Sequence, residues 1–185
     1  PVTRTITLPP MPIDFTKISR VSISACGTAY YAGLVGKYWI EQLGRLPVEL
    51  DVASEFRYRE VPMESDGLSL FISQSGETMD TLSALQYAAQ QKQKIVSIVN
   101  VDESSIARAS DAALRTLAGP EIGVASTKAF TTQLTVIACL AIGCGRARGT
   151  LKKTEEAELS LALSEVPGRV AEVLKNDETI AEIAE

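Results

Sequence analysis

The six residues Ser73-Gln74-Ser75-Gly76-Glu77-Thr78 put three hydroxyls and a carboxamide into one short stretch that holds no lysine or arginine. An apolar run precedes them and a helical pattern follows. Residue types and place together suit a phosphate monoester. Hydroxyls can turn their O–H toward an acceptor, Gly76 lets backbone approach, and the first N–H groups of a helix have no partners and favour negative charge. Each hydrogen bond to a charged group contributes about 1.5–3 kcal/mol, so three or four give millimolar to micromolar affinity. That fits a metabolite rather than a tightly held cofactor. Glu77 opposes this reading: at ~4 Å from a phosphate charge it costs ~1 kcal/mol in water and ~4 kcal/mol at an intermediate dielectric. The loop works only if Glu77 points away. A plainer alternative is that Ser75 or Thr78 simply caps the helix. The stretch is not a P-loop, which ends in Gly-Lys-Ser/Thr.

Two further stretches have the same strand-to-helix character. Cys26-Gly27-Thr28-Ala29 closes one apolar run, and Glu121–Phe130 (EIGVASTKAF) closes another. Three such turns at one edge of a sheet would enclose a small polar ligand. Cys26 has no activating partner in sequence and reads as a small buried residue. Lys128 reads as a surface cation, although a desolvated Schiff-base lysine is the other use of that residue type. The chain has no histidine. That removes Ser–His and Cys–His nucleophiles and most catalytic zinc sites, leaving carboxylates, lysine, tyrosine or cysteine as acid or base. No metal and no cofactor are expected.

The elements that would hold these turns alternate. Val21–Gly27, Val48–Phe56, Ser69–Ser73, Lys94–Asn100 and Ala112–Ala118 read as strands. Thr28–Gly44, Thr78–Gln93, Ser104–Ala109 and Thr127–Ile142 read as helices, with Gly44 as the stop of the first. The last of these is apolar almost all round, as a helix buried on several sides would be. Alternation at this spacing predicts an α/β fold, a three-layer α/β/α sandwich on a mainly parallel five-stranded, flavodoxin-like sheet with ligands at the strand C-terminal ends. GCGRARG at Gly143–Gly149 follows a helix rather than a strand, so it reads as a flexible helix end and not as a dinucleotide fingerprint.

The 185 residues suit one well-buried domain. Residues 1–20 read as an extended N-terminal arm, 21–150 as the binding domain and 151–185 as a helical connector. A net charge of −5 argues against a general nucleic-acid partner. No apolar run is expected to reach the roughly 18 residues a bilayer demands, so no membrane partner is expected. Three cysteines without metal-type pairs point to reduced thiols and a cytoplasmic setting. Glu55, Arg57 and Arg59 of SEFRYRE read as ion pairs at a domain or subunit interface.

CGTAYYAG, ASEFRYRE, SQSGETMDTL and GPEIGVASTKAFTTQL together resemble the SIS (sugar isomerase) domain family of phosphosugar-binding proteins. Within it they are similar to the first SIS half of glutamine-dependent hexose-phosphate aminotransferases, from about Val21 to the end. The resemblance implies that Ser73, Gln74, Ser75 and Thr78 hold the 6-phosphate of a hexose, that Thr28 contacts the sugar, and that Val124 and Ser126 line it. Family members commonly have serine where Ala29 stands, so only a backbone contact carries over there. It also implies a glutaminase domain and a second SIS half outside this chain, the latter with the acid–base residues, and a lysine-bearing tail beyond it. SIS domains are usually paired, which implies a homodimer. The expected activity is therefore binding of fructose 6-phosphate or glucosamine 6-phosphate without turnover. Two other readings stand beside it. One is a stand-alone sugar-phosphate isomerase using Glu55 or Glu121 as base. The other is a non-catalytic sugar-phosphate sensor of the kind fused to transcription regulators.

Overall fold

The computed structural model describes residues 4–122 and 126–184. Five strands, β1 (Val21–Ala25), β2 (Val48–Val52), β3 (Leu68–Ser73), β4 (Lys94–Val99) and β5 (Ala112–Arg115), form one sheet in the order β2-β1-β3-β4-β5. Every pairing is parallel, with Ser24 opposite Phe71 and Phe71 opposite Ser97 across the three central strands. The parallel pairing follows from the helices that intervene: α1 (Thr28–Trp39), α2 (Ala53–Arg59), α3 (Met79–Gln90), α4 (Ser105–Arg108) and α5 (Lys128–Arg148).

Side chains alternate between the two faces of the sheet, and the helices sort accordingly. Ile23, Leu70, Ile72, Val96 and Ile98 meet Ala32 of α1 and Ile137 and Leu140 of α5. Phe71, Ile95 and Val99 face the other way, onto Phe56 of α2, Ala84 and Leu85 of α3 and Ile106 of α4. All six residues of β3 are buried, as a central strand covered on both faces requires. Each such fully buried Leu, Ile or Phe side chain contributes about 1.5–3 kcal/mol. The three-layer α/β/α architecture is the one expected from the alternation.

Local differences have identifiable causes. The strand expected over Val48–Phe56 stops at Val52, and Ala53–Arg59 is helical. Ala53 and Phe56, three apart, share the buried face of that turn, and the Phe56 ring packs edge-on against Tyr87 with centroids 6.0 Å apart. The first helix continues past Trp39 as a π-helical turn, Ile40–Gly44, and the left-handed residue that ends it is Arg45. Gly44 serves packing instead: a Cβ there would lie 3.0 Å from the Cys144 sulfur. The GCGRARG stretch is not a flexible end. Gly143 and Gly145 are buried within α5, where Leu8 and the Leu43 carbonyl come close, and the helix ends at Gly149.

The arm joins the fold through its second half. A short 3-10 turn, Phe15–Lys17, carries Phe15 into the core beside Ile18. Arg148, in the last turn of α5, donates to the carbonyls of Phe15 (2.6 Å), Ile18 (3.0 Å) and Gly44 (2.8 Å). Arg146, two residues earlier, donates to Ile6 O and to the buried carboxylate of Glu156 in α6 (Lys153–Leu174). That same carboxylate accepts from Ile6 N–H at 3.2 Å. Beyond Ser164 the side chains of α6 and of α7 (Asp177–Ala184) are exposed. Although no apolar run was expected to reach bilayer length, α5 is long and apolar enough by length and composition. It is a core helix, with 56% of its apolar window buried against the sheet and α1.

Candidate functional site

The strand order 2-1-3-4-5 changes direction between β1 and β3, the position where connections leave on opposite faces and a crevice opens. From β1 the chain turns at Gly27 (φ +57°) into α1 on one face. From β3 it passes through the hydroxyl loop into α3 on the other. Between these two exits lies a cleft of about 190 Å³. Cys26, Thr28 and Ala29 form its wall on the β1 side, while Ile72, Ser73, Gln74, Ser75 and Thr78 form the wall on the β3 side. Ser126 and Gln133, from the segment entering α5 and from α5 itself, close it. Among the described residues no side chain caps α1 or α3, so the first amides of both helices are left without a capping acceptor.

Inside the loop the hydroxyls are ordered by one another. Ser73 is almost fully buried, its Oγ accepts from Gly76 N–H at 3.0 Å, and it lies 3.0 Å from Thr78 Oγ1. Ser75 Oγ accepts from Glu77 N–H at 3.2 Å. Two loop amides are thus held within the loop and are not available to a ligand. Gly76 is needed for a reason other than backbone approach. Its φ is +66°, and a Cβ there would sit 2.0 Å from the Ser104 hydroxyl at the start of α4. Its carbonyl accepts from Ile106 N–H at 3.0 Å, which fastens α4 under the loop.

Both acids beside the start of α3 are engaged elsewhere. Glu77 points away from the cleft, its carboxylate accepting from Ser105 N–H at 2.7 Å. That amide bond, with the nearby Arg108 charge, holds the Glu77 carboxyl below its ordinary value. Asp80 is paired with Arg57 at 2.7 Å. Arg59 pairs with Asp51 at 2.6 Å and with Glu49 at 3.4 Å. Arg57 and Arg59 of SEFRYRE therefore bond within the chain, whereas Glu55 forms no ion pair among the described residues.

The third turn is held by a carboxylate. Glu121 Oε2 accepts from Ala129 N–H at 3.0 Å, and its Oε1 accepts from the Thr127 amide and hydroxyl at 3.4 and 3.2 Å. Desolvation pushes the Glu121 carboxyl up, but these amide bonds and Lys128 outweigh it and hold the group below its ordinary value. Lys128 is exposed at the first turn of α5 and does not border the cleft. A larger, shallower groove of about 520 Å³ follows the β2 edge past Arg20, Lys37 and Glu41. Its cations are already matched, Lys37 with Glu41 at 2.6 Å and Arg20 with Glu49 at 3.5 Å, so it offers an anion little.

A family model described as SIS domain matches residues 14–143. The chain belongs to the SIS domain family. Over 174 residues, 94% of its length, it is 59% identical to a glutamine–fructose-6-phosphate aminotransferase (isomerizing) of Mesorhizobium japonicum. It spans 29% of that relative, less than a third of the longer protein. Among solved structures it is similar to the C-terminal domain of glucosamine-fructose-6-phosphate aminotransferase from Francisella tularensis, with a TM-score of 0.89 and 42% identity over 91% of this chain and 48% of that one. A putative phosphosugar isomerase from Silicibacter pomeroyi aligns with a TM-score of 0.71 and 26% identity, over 84% of this chain and 45% of that one.

In this SIS domain the cleft brings together seven of the eight residues singled out from the sequence: Thr28, Ala29, Ser73, Gln74, Ser75, Thr78 and Ser126. Val124 lies outside the described residues. Gln133 was not foreseen. It occupies the buried stripe of α5 with Ala129, Ile137 and Leu140, a polar residue at a core position, and that contrast was visible in the apolar helix pattern.

Proposed function

We propose that this SIS domain is the first, phosphosugar-binding half of the isomerase part of a glutamine–fructose-6-phosphate aminotransferase. Its ligand is a hexose 6-phosphate, fructose 6-phosphate or glucosamine 6-phosphate. The observation that carries the reading is the cleft at the β1/β3 switch, where a hydroxyl-rich loop and two uncapped helix starts converge. No lysine or arginine among the described residues borders it, so the dianion is met by helix dipoles and hydroxyls. Ser73 accepts from Gly76, and either hydroxyl of the Ser73–Thr78 pair can donate to the other; with Ser73 as the donor, the Thr78 O–H is left for phosphate. Gln74 and Ser75 complete the phosphate set, and Thr28, the Ala29 backbone, Val124 and Ser126 address the sugar. With Glu77 and Asp80 bonded elsewhere, the acids beside the loop oppose the phosphate less.

Binding without turnover is favoured over a self-sufficient isomerase. Glu121 is engaged with the start of α5, and Glu55 is exposed on α2 away from the cleft. Neither is placed to move a substrate proton. A sensor fused to a DNA-binding unit has less support, since over most of its length the chain is similar to an aminotransferase. The parent activity would transfer glutamine-derived ammonia to fructose 6-phosphate and isomerise the product, with the glutaminase domain and second SIS half as partners. Residues 151–185 would connect to that second half. Exposed Val166, Val170, Val173 and Leu174 on α6 support such pairing, or a homodimer. Free Cys26, Cys139 and Cys144, the last with its thiol pushed up to about 11 by burial, suit a cytoplasmic setting.

Heteronuclear NMR titration with millimolar fructose 6-phosphate tests this. Shifts are expected in the amides of Ser73–Thr78 and of Thr28–Ala29, with no ketose–aldose conversion by the purified chain. Unmoved amides in both loops would overturn the binding reading, and conversion would restore the isomerase.

A further inference from the structure

Gln133 is 1% exposed, borders the cleft, and its Oε1 has no hydrogen-bond partner among the described residues. Buried side-chain polar atoms are nearly always bonded, so an unpartnered one calls for an explanation. Four other buried oxygens share that condition, those of Ser24, Ser69, Ser97 and Ser160, while the Asp51 oxygen without a hydrogen bond is ion-paired with Arg59 at 2.6 Å. Gln133 is the one whose side chain borders the cleft among the described residues. The serines Ser24 and Ser97 flank Phe71 in register, where a small side chain leaves room for the ring. No such packing reason covers a glutamine, which is large enough to have been replaced by methionine or leucine in an otherwise apolar stripe.

We propose that Gln133 is a specificity residue whose carboxamide recognises a hydroxyl of the sugar, not its phosphate. This deepens the binding reading above and rests on it. A phosphate dianion offers acceptors only, and the donors that answer it lie on the opposite, hydroxyl-loop side of the cleft. A carboxamide presents an acceptor and two donors, and an alcohol both donates and accepts, so the pair is satisfied whichever way the amide faces. A site with that arrangement distinguishes a polyhydroxy phosphate ester from inorganic phosphate. It does so by leaving the Gln133 acceptor unanswered when no hydroxyl arrives. Glu121 supports the placement, because its bonds to Thr127 and Ala129 fix the first turn of α5 from which Gln133 projects one turn later.

The test compares the wild-type chain with Gln133→Met, a shape-matched apolar variant, by titration with fructose 6-phosphate and separately with inorganic phosphate. Thermal unfolding of both proteins is recorded without ligand. The expected result is a roughly three- to tenfold weaker affinity for the sugar phosphate, unchanged affinity for inorganic phosphate, and a melting temperature equal to or above wild type. A lower melting temperature with both ligands weakened alike would show that Gln133 braces α5, and would overturn the proposal. Unchanged affinity for both would show that it anchors a resident water only, which overturns the proposal as well. If the wild-type chain binds neither ligand, the binding reading itself fails and takes this inference with it. If the wild type binds the ester and the variant binds it equally, only the inference fails. Gln133→Glu is the second variant. It keeps the acceptor and adds charge, so its binding of inorganic phosphate should fall while the hydroxyl contact persists.

Discussion

The hydroxyl oxygens of Ser73 and Thr78 lie 3.0 Å apart, five residues apart in sequence, one at the end of a buried strand and the other at the start of a helix. The two residues divide one task. Ser73 ties the loop to itself through Gly76, and Thr78 presents the outer hydroxyl. Ser73→Ala should therefore cost about 1–2 kcal/mol of stability, because the buried Gly76 N–H loses its acceptor. Thr78→Val should cost less stability than Ser73→Ala, since only the Ser73–Thr78 bond is lost, while weakening sugar-phosphate binding about tenfold. Chemical denaturation and calorimetric titration of the two variants check the division. Equal effects on both measurements from both variants would contradict it.

Gly76→Ala should be more damaging than either. A left-handed backbone costs a side-chain-bearing residue about 1–2 kcal/mol, and the new methyl would collide with Ser104. Adding Ser104→Gly removes the collision but not the backbone cost. Thermal unfolding should accordingly show a large drop for the single variant and partial recovery for the double.

Acid should loosen α4 before the sheet. The Glu77 carboxyl lies below its ordinary 4.5 through its bond to Ser105 N–H, so the folded state binds its proton less readily than the unfolded chain does. Its contribution to stability is complete above that ordinary value and is lost as pH falls through the lower, folded value. In an NMR pH titration the Ser105 amide should move at a pH below 4.5, and Glu77→Gln should abolish that step. A Ser105 amide that titrates at or above 4.5 would contradict the sign.

The layered architecture was legible because strand and helix periods alternate cleanly and because five apolar runs end in turn residues. Seven of the residues that border the cleft were legible for a related reason: the turns that carry them all follow strands, and parallel strands deliver their ends to one edge. What the pattern hid depends on tertiary context. Ala53–Phe56 follows a β-rich run without punctuation, and only the partner surface of Tyr87 and α3 makes it helical. Gly76 suits ligand approach in sequence, yet its neighbour in space is Ser104, 28 positions on. The occupation of the Gly76 and Glu77 amides by Ser73 and Ser75 was hidden for the same reason, since a six-residue motif does not reveal which groups fold back on one another.

Helix α5 joins two distant parts of the protein. Its first turns carry Gln133 beside the cleft, and its last turn carries Arg146 and Arg148, which grip the arm and α6. At 1.5 Å per residue its 21 residues make a rod about 31 Å long. A rod without a proline hinge, packed along its length as a core helix, holds both ends in one fixed relation: the arginines that meet Ile6, Phe15 and Glu156 and the carboxamide beside the crevice are set in place by a single element.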